Sequence, residues 1–247
     1  MKSEFTDPGE NHYLPEGTYP VTITGMPQAG STLCYNLVRL LAEESGATVE
    51  IYYQDEELVH GRTGTTNKTY LLSKQHDLPP TSPVHRSHPK PYKYPDWLII
   101  NVKRDLRDTI ASAVRKNPAE TDIRKLCKRN IQWHYDWEHA ADYEWIYEKY
   151  KEDPLKITQE LHKTMGLDLS MEQVRKVVNM AEGLKESLLG YHDATFQYRF
   201  EKITRMNSTQ ITNNGEIGGY RNTLTDEQID LIETEFGDWL RKHGYME

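Results

Sequence analysis

The stretch Gly25-Met26-Pro27-Gln28-Ala29-Gly30-Ser31-Thr32 combines two glycines with two closing hydroxyl side chains. It follows a short β-branched run, Tyr19–Gly25, and leads into Ser31–Ser45, where apolar residues recur at helical spacing. A strand, a tight turn and a helix start aim backbone N–H groups and the positive end of a helix dipole at one point, which suits a phosphate-type anion. A nucleoside-triphosphate loop would read G-x-x-x-x-G-K-[ST], with its lysine on the β/γ-phosphates and its hydroxyl on magnesium. Ser31 stands where that lysine would be. Glycines kept without the lysine point to a ligand with one 5′-phosphate and modest charge.

Further along, Val102–Ser112 (VKRDLRDTIAS) sets Arg104 at the end of an apolar run and Ser112 about two helical turns later. Arginine offers a planar fork to a phosphate, and a serine hydroxyl adds a hydrogen bond. Asp108, between them, reads as a structural helix residue, and an Arg104–Asp108 pair is the other use for this arginine. Three more stretches carry polar chemistry: Lys74-Gln75-His76-Asp77-Leu78-Pro79, Tyr147–Pro154 (YEKYKEDP), and Asn213–Asn222 (NNGEIGGYRN) followed by Leu224 and Thr225.

These five segments, taken in chain order from about Tyr19 to the last helix, resemble the sulfotransferases that use 3′-phosphoadenosine 5′-phosphosulfate (PAPS) and release 3′-phosphoadenosine 5′-phosphate (PAP). The resemblance implies a 5′-phosphosulfate loop at Gln28, Ala29, Gly30, Ser31, Thr32 and Leu33. It implies a 3′-phosphate segment carrying Arg104 and Ser112, a catalytic base at His76 beside Lys74, and an adenine neighbour at Tyr147. The closing loop is represented by Asn214 and Gly215. No metal is required for such a transfer. The titration range of histidine also suits His76 to taking a proton near neutrality, against a plain loop histidine as the alternative.

Four positions depart from that family pattern. Gln28 occupies the place of a basic residue that reaches the leaving group, leaving Lys74 or Arg221 to supply charge. Asn213 and Asn214 replace an Arg-Lys pair expected at the 3′-phosphate. Leu33 replaces a tryptophan, so adenine packing there would be aliphatic. Two other readings compete: a P-loop nucleotide kinase or NTPase, and a non-catalytic PAP/PAPS-binding module.

The elements that must position these groups are legible as pattern. Strands are expected at Tyr19–Gly25, Thr48–Tyr53, Thr69–Ser73, Trp97–Val102 and Tyr143–Tyr147. Helices are expected at Ser31–Ser45, Arg107–Lys116, Thr121–Ala141, Pro154–Met165, Ser170–Leu188 and Thr225–His243, the last opened by a Thr225/Gln228 capping box. Alternating strands and helices predict an α/β fold, a P-loop-like central parallel sheet with helices on both faces. Residues 1–18 read as an extension and 19–247 as one domain.

The chain's 247 residues carry a formal charge of -8, which disfavours general nucleic-acid affinity. A mean hydropathy of -0.80 and the lack of a long apolar run predict no membrane span and a cytoplasmic setting. Cys34 and Cys127 lack metal or disulfide spacing and read as buried thiols. The acceptor is expected to be a small molecule or a carbohydrate, the basic stretch His85–Lys93 hinting at the latter. Trp133, Tyr135 and Trp137 are candidates for its cleft, with core packing as the commoner use.

Overall fold

The structure is a computed structural model, and it describes residues 16–52, 58–60, 64–74, 97–119, 122–189 and 215–247. In chain order these form β1 (Thr18–Gly25), α1 (Ser31–Glu44), β2 (Thr48–Tyr52), β3 (Leu58–His60), β4 (Thr69–Lys74), β5 (Leu98–Lys103), α2 (Leu106–Lys116), α3 (Ile123–Glu138), β6 (Tyr143–Ile146), α4 (Tyr147–Glu152), α5 (Pro154–Thr164), α6 (Met171–Leu189) and α7 (Asp226–Lys242). A 3₁₀ turn, Gly219–Asn222, precedes α7.

The six strands lie in the order β3-β2-β4-β1-β5-β6, and every pairing is parallel except β2 with β3. The β-branched centre of β1 and the continuous apolar run of β5 explain why these strands lie in the middle. Ile23, Ile100 and Val102 are fully enclosed, as a strand covered on both faces must be. The connection β1-α1-β2 leads toward one edge of the sheet and β5-α2-α3-β6 toward the other. With right-handed crossovers this puts α1 on one face and α2 and α3 on the opposite one. Accordingly α1 packs on β1, β2 and β4, and α3 packs on β1 and β5. The order reverses between β1 and β5, and their C-terminal ends frame the crevice where α/β sheets bind ligands.

Two elements differ from the sequence pattern. The expected strand Tyr143–Tyr147 stops at Ile146, and Tyr147 opens the short helix α4. Tyr147 and Tyr150, three apart, both bury on that helix, and Glu148 accepts the Asp105 N–H at 2.9 Å, so tertiary contacts override a weak local strand signal. β3 is an antiparallel addition, three residues long, too short for an alternation to announce it. The other boundaries agree to within two or three residues. The Thr225/Gln228 capping box is formed, and Asp105, Asp122 and Asp153 cap α2, α3 and α5.

Candidate functional site

β1 ends at Gly25, whose φ of 99° lies in the left-handed region. A Cβ there would run into the Asn101 side chain and the Val102 backbone, so only glycine lets β1 pass β5 this closely before the turn. The Met26 N–H still bonds to the Val102 carbonyl at 3.1 Å, carrying the sheet into the loop. Gly30 (φ 93°) closes the turn and caps α1, and a Cβ on it would strike the Tyr147 ring. Gln28 holds φ 64°, the one non-glycine with positive φ among the described residues. Such a conformation is strained, and it is the kind of cost that functional turns carry. No side chain of the capping residue closes the start of α1, where the first-turn N–H groups carry the positive end of the helix dipole.

Ala29 and Ser31 are buried within the turn, Thr32 follows on the helix, and Leu33 packs partly buried against the core. The missing loop lysine is answered from the neighbouring strand. Lys74, the last residue of β4, donates through Nζ to Thr32 Oγ1 at 2.6 Å. A flexible ammonium thus reaches the phosphate-type loop from the side.

On the other wall, Arg104 follows β5 and is 5% exposed. Its Nη2 donates to the Glu216 carbonyl at 2.8 Å and pairs with Asp108 at 3.3 Å, while its guanidinium lies over the Tyr147 ring at 4.3 Å. Its Nε is buried without a partner. Ser112 has only a long 3.5 Å contact to Gln28 Oε1, which nonetheless links the loop and α2 across the crevice. Asp108 does more than hold a helix: it accepts the Gly218 N–H at 2.9 Å and the Tyr220 N–H at 3.0 Å, and so anchors the segment Gly215–Asn222 over α2.

Tyr147 is a buried post between these parts. Its ring lies against Gly30 and Trp145, and its hydroxyl donates to the Gly215 carbonyl at 2.8 Å. Burial raises its phenol pKa, with the Arg104 charge opposing, so it remains a donor at neutral pH. The structure therefore brings together Gln28, Ala29, Gly30, Ser31, Thr32, Lys74, Arg104, Ser112, Tyr147 and Gly215. His76, Asn213 and Asn214 lie outside the described residues, as does His85–Lys93. Trp137 is buried, whereas Trp133 lies under the Arg129 guanidinium and Tyr135 under the Lys242 ammonium. The anchoring by Asp108 was not foreseen, although its spacing of four from both Arg104 and Ser112 signalled a shared helix face.

Among the described residues, one further group has metal-ligand chemistry: His134, Glu138 and His243, with ligand atoms within 4.8 Å of one another. Two ammonium groups already occupy it. Lys103 lies 3.3 Å from His243 Nδ1 and Lys242 lies 3.6 Å from Glu138, so positive charge is supplied there by the chain itself. Both cysteines are buried and their thiol pKa values are raised by desolvation, that of Cys127 to about 12, which makes them inert packing groups.

No described helix is long and apolar enough to cross a membrane. A search of curated protein sequences gives no match. Among solved structures, a mouse sulfotransferase complexed with PAP superposes with a TM-score of 0.58 at 12% identity, covering 90% of this chain and 85% of the other. A retinol dehydratase in complex with androsterone and inactive cofactor PAP gives 0.57 at 15% identity, covering 90% and 80%. At these identities the structures speak for a shared fold. The sequence itself matches the sulfotransferase domain model over residues 19–244, from the first strand through the last helix, and on that match the chain belongs to the sulfotransferase family.

Proposed function

We propose that this protein transfers the sulfuryl group of PAPS to a hydroxyl or amine acceptor and releases PAP. The observation that carries the reading is the Lys74–Thr32 contact, which restores a cation to a phosphate-type loop that lacks one of its own. PAP in both structural relatives named above supports the choice of nucleotide. PAPS supplies the sulfuryl group on its 5′-phosphate, and the residues present fit it. The N-terminal end of α1 and the hydroxyls of Ser31 and Thr32 suit the 5′ end, and Arg104, Ser112 and the Gly215 backbone suit the 3′-phosphate.

In the transfer, a bond forms from the acceptor oxygen or nitrogen to sulfur, the bond from sulfur to the 5′-phosphate oxygen breaks, and the acceptor loses a proton. His76, two residues beyond Lys74, takes that proton as general base. Lys74 and the α1 N–H groups meet the negative charge that collects on the departing phosphate, the role for which a fixed cation and preorganised donors are worth most. Gln28 contributes an amide hydrogen bond without charge. The acceptor is a small molecule or a carbohydrate.

Calorimetric titration of the purified protein with PAP, with chelator present, and separately with ATP and magnesium tests the nucleotide. Tight metal-independent binding of PAP is expected; binding of magnesium-ATP alone would transfer the assignment to a kinase or NTPase. With an acceptor drawn from a panel of phenols, alcohols and amines, His76→Ala should lower turnover by roughly 10²- to 10⁴-fold while PAP binding persists. Near-normal turnover would remove His76 from the mechanism, and absence of transfer to any acceptor would favour a binding module.

A further inference from the structure

This inference rests on the PAPS reading and concerns what replaces the Arg-Lys pair at residues 213 and 214. Asp108, Ser112 and Arg115 lie at i, i+4 and i+7 on α2, within one narrow stripe of its surface. Asp108 and Arg115 both turn toward the closing segment: Asp108 holds the N–H groups of Gly218 and Tyr220, and Arg115 Nη1 donates to Thr223 Oγ1 at 2.6 Å. Ser112, between them, has only its long contact to Gln28. Arg104 stands four residues before Asp108 at the head of the same stripe.

The charges along this stripe do not balance. Asp108 is committed to Arg104 and to two backbone amides. Among the described residues Arg115 has no carboxylate at ion-pair distance; its partner is a neutral hydroxyl. Burial first, and then the Arg104 charge, disfavours the charged form of Arg115, with Asp108 opposing. The Arg104 Nε, buried and unpartnered, adds a donor with nothing to bind. Two guanidiniums, only one of them paired with a carboxylate, and a weakly engaged hydroxyl between them call for an anion.

The geometry points to Arg115 as a second cation for the 3′-phosphate, working with Arg104 and Ser112 in place of the absent basic pair. A phosphate bridging the two arginines relieves their mutual repulsion and gains charge-assisted hydrogen bonds from both. Arg115 exchanges its hydroxyl partner for a phosphate oxygen or keeps one nitrogen on each, since the guanidinium carries five N–H donors.

The test is calorimetry of wild type, Arg115→Gln, Arg115→Lys and Thr223→Val with PAP and with adenosine 5′-phosphate, which lacks the 3′-phosphate. Arg115→Gln is expected to bind PAP roughly tenfold or more weakly with adenosine 5′-phosphate unchanged, the loss of one charge-assisted contact. Arg115→Lys should recover part of that loss, and Thr223→Val should bind both nucleotides as wild type does. Equal losses for the two nucleotides in Arg115→Gln, or no loss at all, would overturn the assignment. So would a Thr223→Val that reproduces the Arg115→Gln defect, because the arginine would then act only as a strut. A wild type that binds the two nucleotides alike would instead overturn the PAPS reading beneath it, so the two failures are told apart. Thermal melts of each variant establish that it is folded, and Arg115→Lys preserves the charge if the glutamine variant is not.

Discussion

At the scale of single residues, chemistry at the loop turns on where positive charge comes from. Gln28 has a left-handed backbone and a neutral side chain in a position from which the family pattern leads one to expect a cation. Lys74 approaches the same turn from β4 through a 2.6 Å bond to Thr32. If that ammonium carries the leaving-group charge, Lys74→Met should lower kcat by about 100-fold, the usual cost of one preorganised donor to developing charge. PAP affinity should fall much less, because the α1 N–H groups remain. Adding Gln28→Lys to the Lys74→Met chain should restore a measurable part of the rate, since a lysine at 28 starts from the same turn. Steady-state kinetics on the two variants and their combination decides this: full activity in Lys74→Met would move the charge to another group, and failure of the second lysine to help would mean that position matters beyond charge.

At the scale of elements, α2 carries Ser112 and Arg115, proposed above for the 3′-phosphate, and anchors the segment that precedes α7. Asp108 is 1% exposed and bonds both the Gly218 and Tyr220 N–H groups, so the segment Gly215–Asn222 is held by one carboxylate from below and by the Tyr147 hydroxyl at its start. Asp108→Asn can accept only one of those amides and presents an N–H to the other. It should destabilise the fold by about 2–3 kcal/mol, as expected for an orphaned buried donor and a weakened charged contact. Amide hydrogen exchange should quicken at Gly218 and Tyr220 while β1 keeps its protection; equal quickening in both places would mean a general loss of stability, not a released segment. The strand and helix positions were legible because their periodicity is strong: β5 is a continuous apolar run and α1 a clear stripe. The glycine loop was legible for a similarly local reason, a turn between a β-branched run and a helix start, whereas the pairing of Arg104 with Ser112 rested on the family resemblance. What escaped was set by tertiary contact. Tyr147 becomes helical because its ring packs on Gly30 and Arg104, and neither Asp108's amide partners nor Lys74's hydroxyl is visible without the sheet order that brings residues 110 and 42 positions distant together.

At the scale of the whole molecule, the face opposite α1 closes through a dense aromatic and histidine seam that joins α3, β5 and the end of α7. His134 is fully buried there, with the Trp239 ring edge-on at 5.7 Å, the His243 ring at 5.0 Å and Asn101 Nδ2 at 3.4 Å from its Nδ1. Desolvation first, and then the nearby His243, Lys103 and Lys242, lowers its pKa to about 3. The same causes, burial and the two lysines, lower that of His243, although Glu138 and Glu144 oppose them. Both imidazoles are therefore neutral in the folded protein at pH values where the unfolded chain already protonates them. The unfolded state binds more protons below about pH 6.5, so stability falls with pH, beginning near the unfolded value and continuing until the folded group itself titrates. For His134 alone the loss between pH 7 and pH 5 amounts to about 2 kcal/mol. Denaturant unfolding at pH 7 and pH 5 should show that loss in the wild type and a clearly smaller one in His134→Gln, whose side chain keeps a polar group but cannot titrate. A variant with an undiminished pH slope would place the acid sensitivity elsewhere and would mean that the seam opens to water well before the rest of the sheet unfolds.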